Sequence, residues 1–578
     1  MKPSKNLPLI LAMALSVSGC IDSNYDLSDI DSTVKVPVND LVIPINIDEI
    51  TLSNVFNLKD DSKIKEINGV YAFVEDGNFS SKGVNIPAVH VNSPAITPTV
   101  AQISLPGGLP ESVPADMQLT FDIGGESTAY DAKTTDVSEF IVSVSKATTQ
   151  FDLDVNITLD GLKGMINNLR LKGLQMKLPK GLTIQNAGSN YNPETGIYNV
   201  GDVTSTGNVV TLHYVVTAID FEKAGVTYNY ANHTMSFTED LALSKATMVI
   251  QGSDIIVPAS KLPSQFSLTT SFRLGDIDIT SITGRIKYDI DGVSVSDVYL
   301  NNLPTFLTQA GTDIKIVNPQ IYLSLTNPLH DYQLEAQTGL TITSYRNDAV
   351  EGTYSLDAPG YFTIKGVSGQ EKYNYYLSPQ AVTSLYPGYT GATHVGYAGL
   401  SNVLSGDGIP TRLSVDFVNP CIPEQTVSNI RLGQDLGDVE GKYTFYAPLA
   451  LKNGSTVLYT DVADGWSSED LDAVTIEALS VDMIVNTDIP VALDFTAYPI
   501  DKNGNRIGNV EIDGADIDAN AKDQKVTIKI TGEIHNLDGI CYTATLKASA
   551  DQKALSPDMT IKLTNIRPRV TGYYEKEL

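Results

Sequence analysis

The sequence predicts a mostly β protein assembled from tandem antiparallel β-sandwich domains in an elongated array, with few short helices. Three observations carry that expectation. Apolar and polar residues alternate with period two over many segments, the pattern of strands with one buried face. Dipeptides of Asn or Asp followed by Gly fall between those segments at short spacing, as hairpin turns require. Helical windows are scarce, the clearest opening at Ser467, where a hydroxyl cap and Asp470 three residues on favour a helix start.

Length and composition set the frame. The chain has 578 residues, 42% hydrophobic and 8% aromatic, enough apolar material for several cores at about 150 residues per domain. Lys and Arg number 39 against 68 Asp and Glu, a net charge of −29. A polyanion without clustered bases is a poor partner for nucleic acid.

The first residues are MKPSKNLPLILAMALSVSGC. Lys2 and Lys5 form a positive head, Leu7 to Leu15 an apolar stretch too short to span a bilayer, and small residues lead to Cys20. Residues 1–19 therefore read as a signal peptide. Residues 20–35 are polar and hold Asp22, Asp26, Asp29 and Asp31, which suits a solvated tether. Four β domains are expected to follow, at 36–139, 140–260, 261–412 and 413–578.

Alternation is cleanest from Phe151 to Leu159, where every odd position is apolar, and recurs at Ile321/Leu323/Leu325, Ile489/Val491/Leu493/Phe495, Val526/Ile528/Ile530 and Met559/Ile561/Leu563. These segments read as antiparallel strands with one wet face. Turns are expected at Asp76-Gly77, Asp291-Gly292, Asn453-Gly454, Asn503-Gly504 and Asp513-Gly514. Residues 316–325 and 484–493 share an Asn-containing turn before an alternating strand, and 140–159 offers a third copy. Duplicated sandwiches and chance likeness between hairpins both account for this. A Tyr- and Gly-rich insertion at 366–412 breaks the strand rhythm, and long irregular segments are often functional.

Val17-Ser18-Gly19-Cys20 resembles the bacterial lipobox, in which the Cys thiol is acylated and becomes the mature N-terminus. The resemblance implies lipidation of Cys20, palmitate-type chains holding the body on a membrane, and, with Ile21 in the next position, the outer membrane. Asp22-Ser23-Asn24-Tyr25-Asp26 resembles the acidic export signal of Bacteroidota surface lipoproteins, which implies the cell surface over the periplasmic face. Asp31-Ser32-Thr33 is similar to their O-glycosylation sequon. With the run Ile43 to Leu52, these features resemble uncharacterised envelope lipoproteins of Bacteroidota. Asn318-Pro319 and Asn327-Pro328, bracketing a strand, are similar to LEA-type sandwich domains, so the sandwiches are expected to be Ig-like or LEA-like.

No catalytic motif is visible. The six histidines are scattered outside any HxH or HExxH pattern, and Gly366-Val367-Ser368-Gly369 lacks the spacing of a nucleophile elbow. Cys421 and Cys541 are candidates for a disulfide or for two separate buried thiols. Asp513, Asp516, Asp518 and Asn520 gather oxygen donors for calcium, although Ala521 and Thr527 stand where an EF-hand needs Gly and Glu. Tyr373, Tyr375, Tyr376, Tyr386, Tyr389 and Tyr397 are candidates for a binding surface facing a glycan or a protein, since tyrosine gives contact area at low entropic cost. The functional expectation is a lipid-anchored outer-membrane protein with a non-catalytic binding or scaffolding role. The alternatives are a fimbrial or adhesin component assembling by strand addition, and an envelope or polysaccharide hydrolase whose carboxylates meet only in the fold.

Overall fold

The computed structural model describes residues 33–42, 49–291, 293–356, 362–465 and 474–577. Cys20, the acidic tether up to Ser32, Ile43 to Asp48, Gly292 and the helix start at Ser467 lie outside the described residues. Strands dominate, and the described α-helices are the short Leu52–Phe56, Phe221–Ala224 and Thr305–Thr308. The chain divides into two compact units, one of Met1–Thr51, Leu458–Lys547 and Met559–Leu578, the other of Leu52–Val457 and Ala548–Asp558.

In the first unit Thr560–Glu577 runs between Thr33–Val42 and Val474–Thr487, and the sheet continues through Gln524–Ile534 to Glu511–Asp513. A second sheet, including Gly539–Lys547, Ala492–Ile500 and Ala515–Ile517, packs on it, so that Met483, Val485, Val526 and Ile528 meet Leu493 and Ile517. Asp513-Gly514 is a corner between these sheets and not a hairpin turn: Glu511–Asp513 pairs in one and Ala515–Ile517 in the other. A Cβ at Gly514 would lie 2.8 Å from the Phe495 carbonyl oxygen, so the corner needs a residue without one.

The second unit is built on a twelve-stranded sheet whose spine is the 20-residue strand Ile141–Asp160. Val209–Asp220 lines one side of the spine; Ile277–Asp289 and Gln265–Leu274 share the other. Burial follows the alternation, with Phe151, Leu153, Val155, Ile157 and Leu159 inside. The expected third repeat copy, 140–159, is thus almost the whole of one long strand, with no turn just before Phe151. Through Arg412–Arg431 and Glu335–Arg346 the sheet runs across the boundaries expected near 140, 261 and 413. A seven-stranded sheet centred on Asn168–Lys177 and Thr234–Gln251 shares a core with its first half, and a second seven-stranded sheet, which carries the candidate site, faces its other half.

The acid excess is handled locally. On outward sheet faces, threonine hydroxyls donate to the carboxylates directly across the strand pair: Thr238 to Asp131 at 2.9 Å, Thr247 to Asp122 at 2.8 Å and Thr527 to Asp482 at 2.7 Å. Such cross-strand pairs contribute about 0.2–1 kcal/mol each and need no cation. Cys421 and Cys541 are both free, so of the two alternatives the structure has separate thiols and no disulfide between them. Each thiol is committed inside its own sheet. Cys421 accepts from Gln337 Nε2 at 3.8 Å, and Cys541 is buried opposite Tyr498.

Candidate functional site

The site-bearing sheet runs, in spatial order, Ser294–Val295, Val70–Ser80, Glu440–Pro448, Gln320–Thr326, Lys372–Ser378 and Thr393–Gly396. Pairing is antiparallel except for the last two strands. Because side chains alternate between faces, each strand sends half its residues inward and half outward. Inward, Phe79, Leu323 and Phe445 meet Leu340, Leu413 and Phe417 of the twelve-stranded sheet, with the Phe79 and Phe417 ring centroids 5.2 Å apart. Two glycines make room for the rings on this face. Gly77 sits under the Tyr443 ring and Gly441 under that of Phe79, each opposite its partner in register. Asp76-Gly77 therefore lies inside a strand, and its glycine serves packing where a turn was expected.

The outward face has two halves. In the first, Asp76, Thr444, Tyr322 and Tyr376 form one row across four strands, and residues 379–392 fold back over it. Tyr389 and Tyr386 of that segment lie 5.0 and 5.8 Å from the Tyr322 ring, centroid to centroid. Each hydroxyl is used. Tyr322 donates to Gln320 Oε1 at 2.6 Å and accepts from the Tyr386 amide at 3.0 Å, while Tyr376 accepts from the Val382 amide at 3.3 Å. Tyr389 bonds Thr444 Oγ1 at 2.9 Å, and Thr444 donates to Asp76 at 2.6 Å. Burial pushes the Tyr322 and Tyr389 phenols above their ordinary range, so they remain neutral.

The aromatic binding surface expected from the sequence is consequently absent. Tyr373, Tyr375, Tyr376, Tyr389 and Tyr397 are at most 8% exposed, and Tyr386 is half-buried. Tyr375 packs edge-on to Phe362 on the inner face, and Tyr397 donates to the Tyr354 carbonyl. The tyrosines are core because their rings have apolar neighbours, and the Tyr373, Tyr376, Tyr389 and Tyr397 hydroxyls have local partners that remove the cost of burying them.

The second half of the same face is open. Its rows are Asn78, Lys442, Ser324 and Asn374, then Ser80, Glu440, Thr326 and Lys372. All of these but Asn374 border, with Ser294 of the edge strand and Ser296 just after it, a cleft of about 850 Å³. Asn374 Nδ2 reaches the Thr390 carbonyl at 3.4 Å, where the covering segment ends and the open half begins. Sequence reasoning missed these residues. Their signal was only that Asn78, Ser80, Ser324, Thr326, Glu440 and Lys442 are the outward positions of alternating strands.

Two further clusters resemble catalytic pairs. Ser378 Oγ lies 3.1 Å from His394 Nε2, yet Ser378 is fully buried and its hydroxyl donates to the Gln380 carbonyl at 2.6 Å. His90 Nδ1 lies 2.6 Å from Asp278, which raises the imidazole above its ordinary value, but its Nε2 faces Asn92 Oδ1. The nearby Ser93 hydroxyl donates to the Gly275 carbonyl. In neither cluster does a free hydroxyl face a free imidazole nitrogen, the geometry a nucleophile needs. Asp513 and Asp516 stand on separate strands, while the Asp518 amide is held by Gln524 Oε1 at 2.8 Å. No group of three or more potential metal ligands from His, Cys, Asp and Glu occurs among the described residues.

The edge strand Thr33–Val42 bears on strand addition. Pro37 removes a donor, the register shifts between Val38 and Leu41, and Asp40 takes a positive φ of 58°. Arg569 Nη1 holds Asp40 at 3.0 Å. A proline, a lysine at position 35 and a bulge are features that blunt an edge against a further strand.

No described helix is long and apolar enough to cross a membrane. No family model and no curated protein matches the chain. A solved structure from Parabacteroides distasonis, provisionally described as a secreted protein, is similar at a TM-score of 0.36 and 14% identity, covering 50% of this chain and 89% of that one. That likeness is too distant to assign a family or an activity.

Proposed function

We propose that the protein is a lipid-anchored outer-membrane protein that works without turnover, by binding or scaffolding at the cell surface. The observation that carries the binding role is the open half of the seven-stranded sheet. It offers a cleft of about 850 Å³ whose walls carry hydroxyl, amide and ammonium groups beside the apolar Phe79, Val295 and Leu325, with Glu440 the one carboxylate among its described lining residues. A glycosidase needs two carboxylates facing each other across the scissile bond, so a lining with one supports the binding reading over that chemistry at this cleft. The lipobox up to Cys20 and the acidic tether support the anchor and the surface location.

Detergent phase partitioning of the native protein and of Cys20→Ala tests the anchor. The native chain should enter the detergent phase and Cys20→Ala should stay in the aqueous phase. Identical partitioning of the two would overturn the anchored reading.

A further inference from the structure

The open half of this sheet differs from the other outward faces in how its polar groups are used. Elsewhere threonine hydroxyls meet carboxylates across the strands. Here Lys372 and Lys442 have no ion-pair partner, and the Asn78, Ser80 and Ser324 side chains have no hydrogen-bond partner, among the described residues. Two ammonium groups beside one carboxylate, Glu440, give this cleft a local positive balance in a chain of net charge −29, which favours an anionic ligand there.

Size narrows the ligand. Lys442 and Lys372 lie two strands and one pleat repeat apart, a Cα separation of about 12 Å from ordinary sheet dimensions. Extended lysine side chains can bridge that distance, so it is the cleft's volume of about 850 Å³, far beyond one small anion, that calls for an extended ligand. Between them the floor is Ser324, Thr326 and Glu440, short polar groups that donate and accept, with the apolar Phe79, Val295 and Leu325 also at the cleft. A sugar chain calls on paired donors and acceptors along its length, and this floor supplies them.

We propose that this cleft binds an acidic oligosaccharide, its hydroxyls on the Asn78, Ser80 and Ser324 floor and its anionic groups on Lys442 and Lys372. The assignment rests on the reading of the cleft as a binding site and names the ligand class.

Titration calorimetry on the full-length mature body tests it with three probes: tetragalacturonate for carboxylate, a chondroitin sulfate tetrasaccharide for sulfate, and neutral maltotetraose. At least one acidic probe should bind at low salt, weaken on going to high salt, and lose tenfold or more in affinity in Lys372→Glu/Lys442→Glu; which of them binds identifies the anionic group. Ser324→Trp fills the floor while keeping both lysines and should abolish binding without shifting Tm. Acidic probes that bind the charge-reversed protein as well as the native one overturn the proposal. So does maltotetraose binding as tightly as either acidic probe; if Ser324→Trp then abolishes it, the cleft remains a binding site and only the anionic assignment fails. Failure of every probe to bind the native protein overturns the glycan assignment, and leaves the anchor, tested separately by partitioning, untouched.

Discussion

Two halves of one sheet face, on the same strands and in the same register, have opposite fates. Where Tyr322, Tyr376 and Tyr446 point outward, residues 379–392 fold over them and the face becomes a second small core. Two residues beyond Tyr322 and Tyr376, and four beyond Tyr446, the outward side chains are Ser324, Asn374 and Lys442, and the face stays open. Backbone pairing does not decide between these outcomes. Ring area does, because covering tyrosines removes apolar surface from water while local partners keep the Tyr322 and Tyr376 hydroxyls bonded. Covering serine and lysine would gain little area and strand an ammonium group.

The covered half should be sensitive and the open half tolerant. Tyr322→Ala removes a fully buried ring against which the covering segment packs and should cost about 3–5 kcal/mol. Urea denaturation reads the loss, and limited proteolysis should find new cleavage within 379–392; unchanged resistance there would mean that the segment does not depend on the ring.

Thr444→Val sharpens the same point without changing size. It breaks the bridge from Tyr389 through Thr444 to Asp76 and should cost about 1–3 kcal/mol, the expense of leaving a buried hydroxyl unpaired. A neutral result would show that rings alone hold the cover.

Acid supplies the next contrast. Asp254, its side chain 5% exposed, accepts from Arg170 Nε at 2.8 Å and Asn168 Nδ2 at 2.7 Å, and the bond from Arg170 holds its carboxyl below the ordinary value of 3.8. A lowered folded-state value means that the unfolded chain takes up the proton first. The stabilisation is therefore complete above about pH 4 and is lost as pH falls through the depressed value. Urea midpoints of the native protein should drop more steeply below pH 4 than those of Asp254→Asn.

The smallest effect is expected in the cleft. Lys442→Gln and Ser80→Ala touch no partner among the described residues and should stay within about 0.5 kcal/mol of the native stability. A larger loss would mean that the open half is structural after all.

Much of the fold was legible because the strand period is local. Phe151 to Leu159 alternates in the sequence and is buried in the same alternation. Glycine was read less well. Gly77 and Gly514 each follow an aspartate, as turn glycines do, but one seats the Tyr443 ring and the other lets the chain change sheets. Those roles depend on what lies opposite, which a local window cannot contain. The same limit hid the strand order: Val70–Ser80 pairs with Glu440–Pro448 across more than 350 residues. It also misplaced the site. Tyrosine density drew attention to 366–412, which holds the strands Lys372–Ser378 and Thr393–Gly396, but abundance does not say whether a ring packs inward or faces solvent, and the open cleft is made of serines, asparagines and lysines too ordinary to stand out.

Protease shaving of intact cells tests the central proposal, display of a binding body at the cell surface, most directly. Full-length chain should disappear from intact cells while a periplasmic control protein survives. Protection in intact cells, with cleavage once the outer membrane is opened, would place the body inside and contradict the proposal.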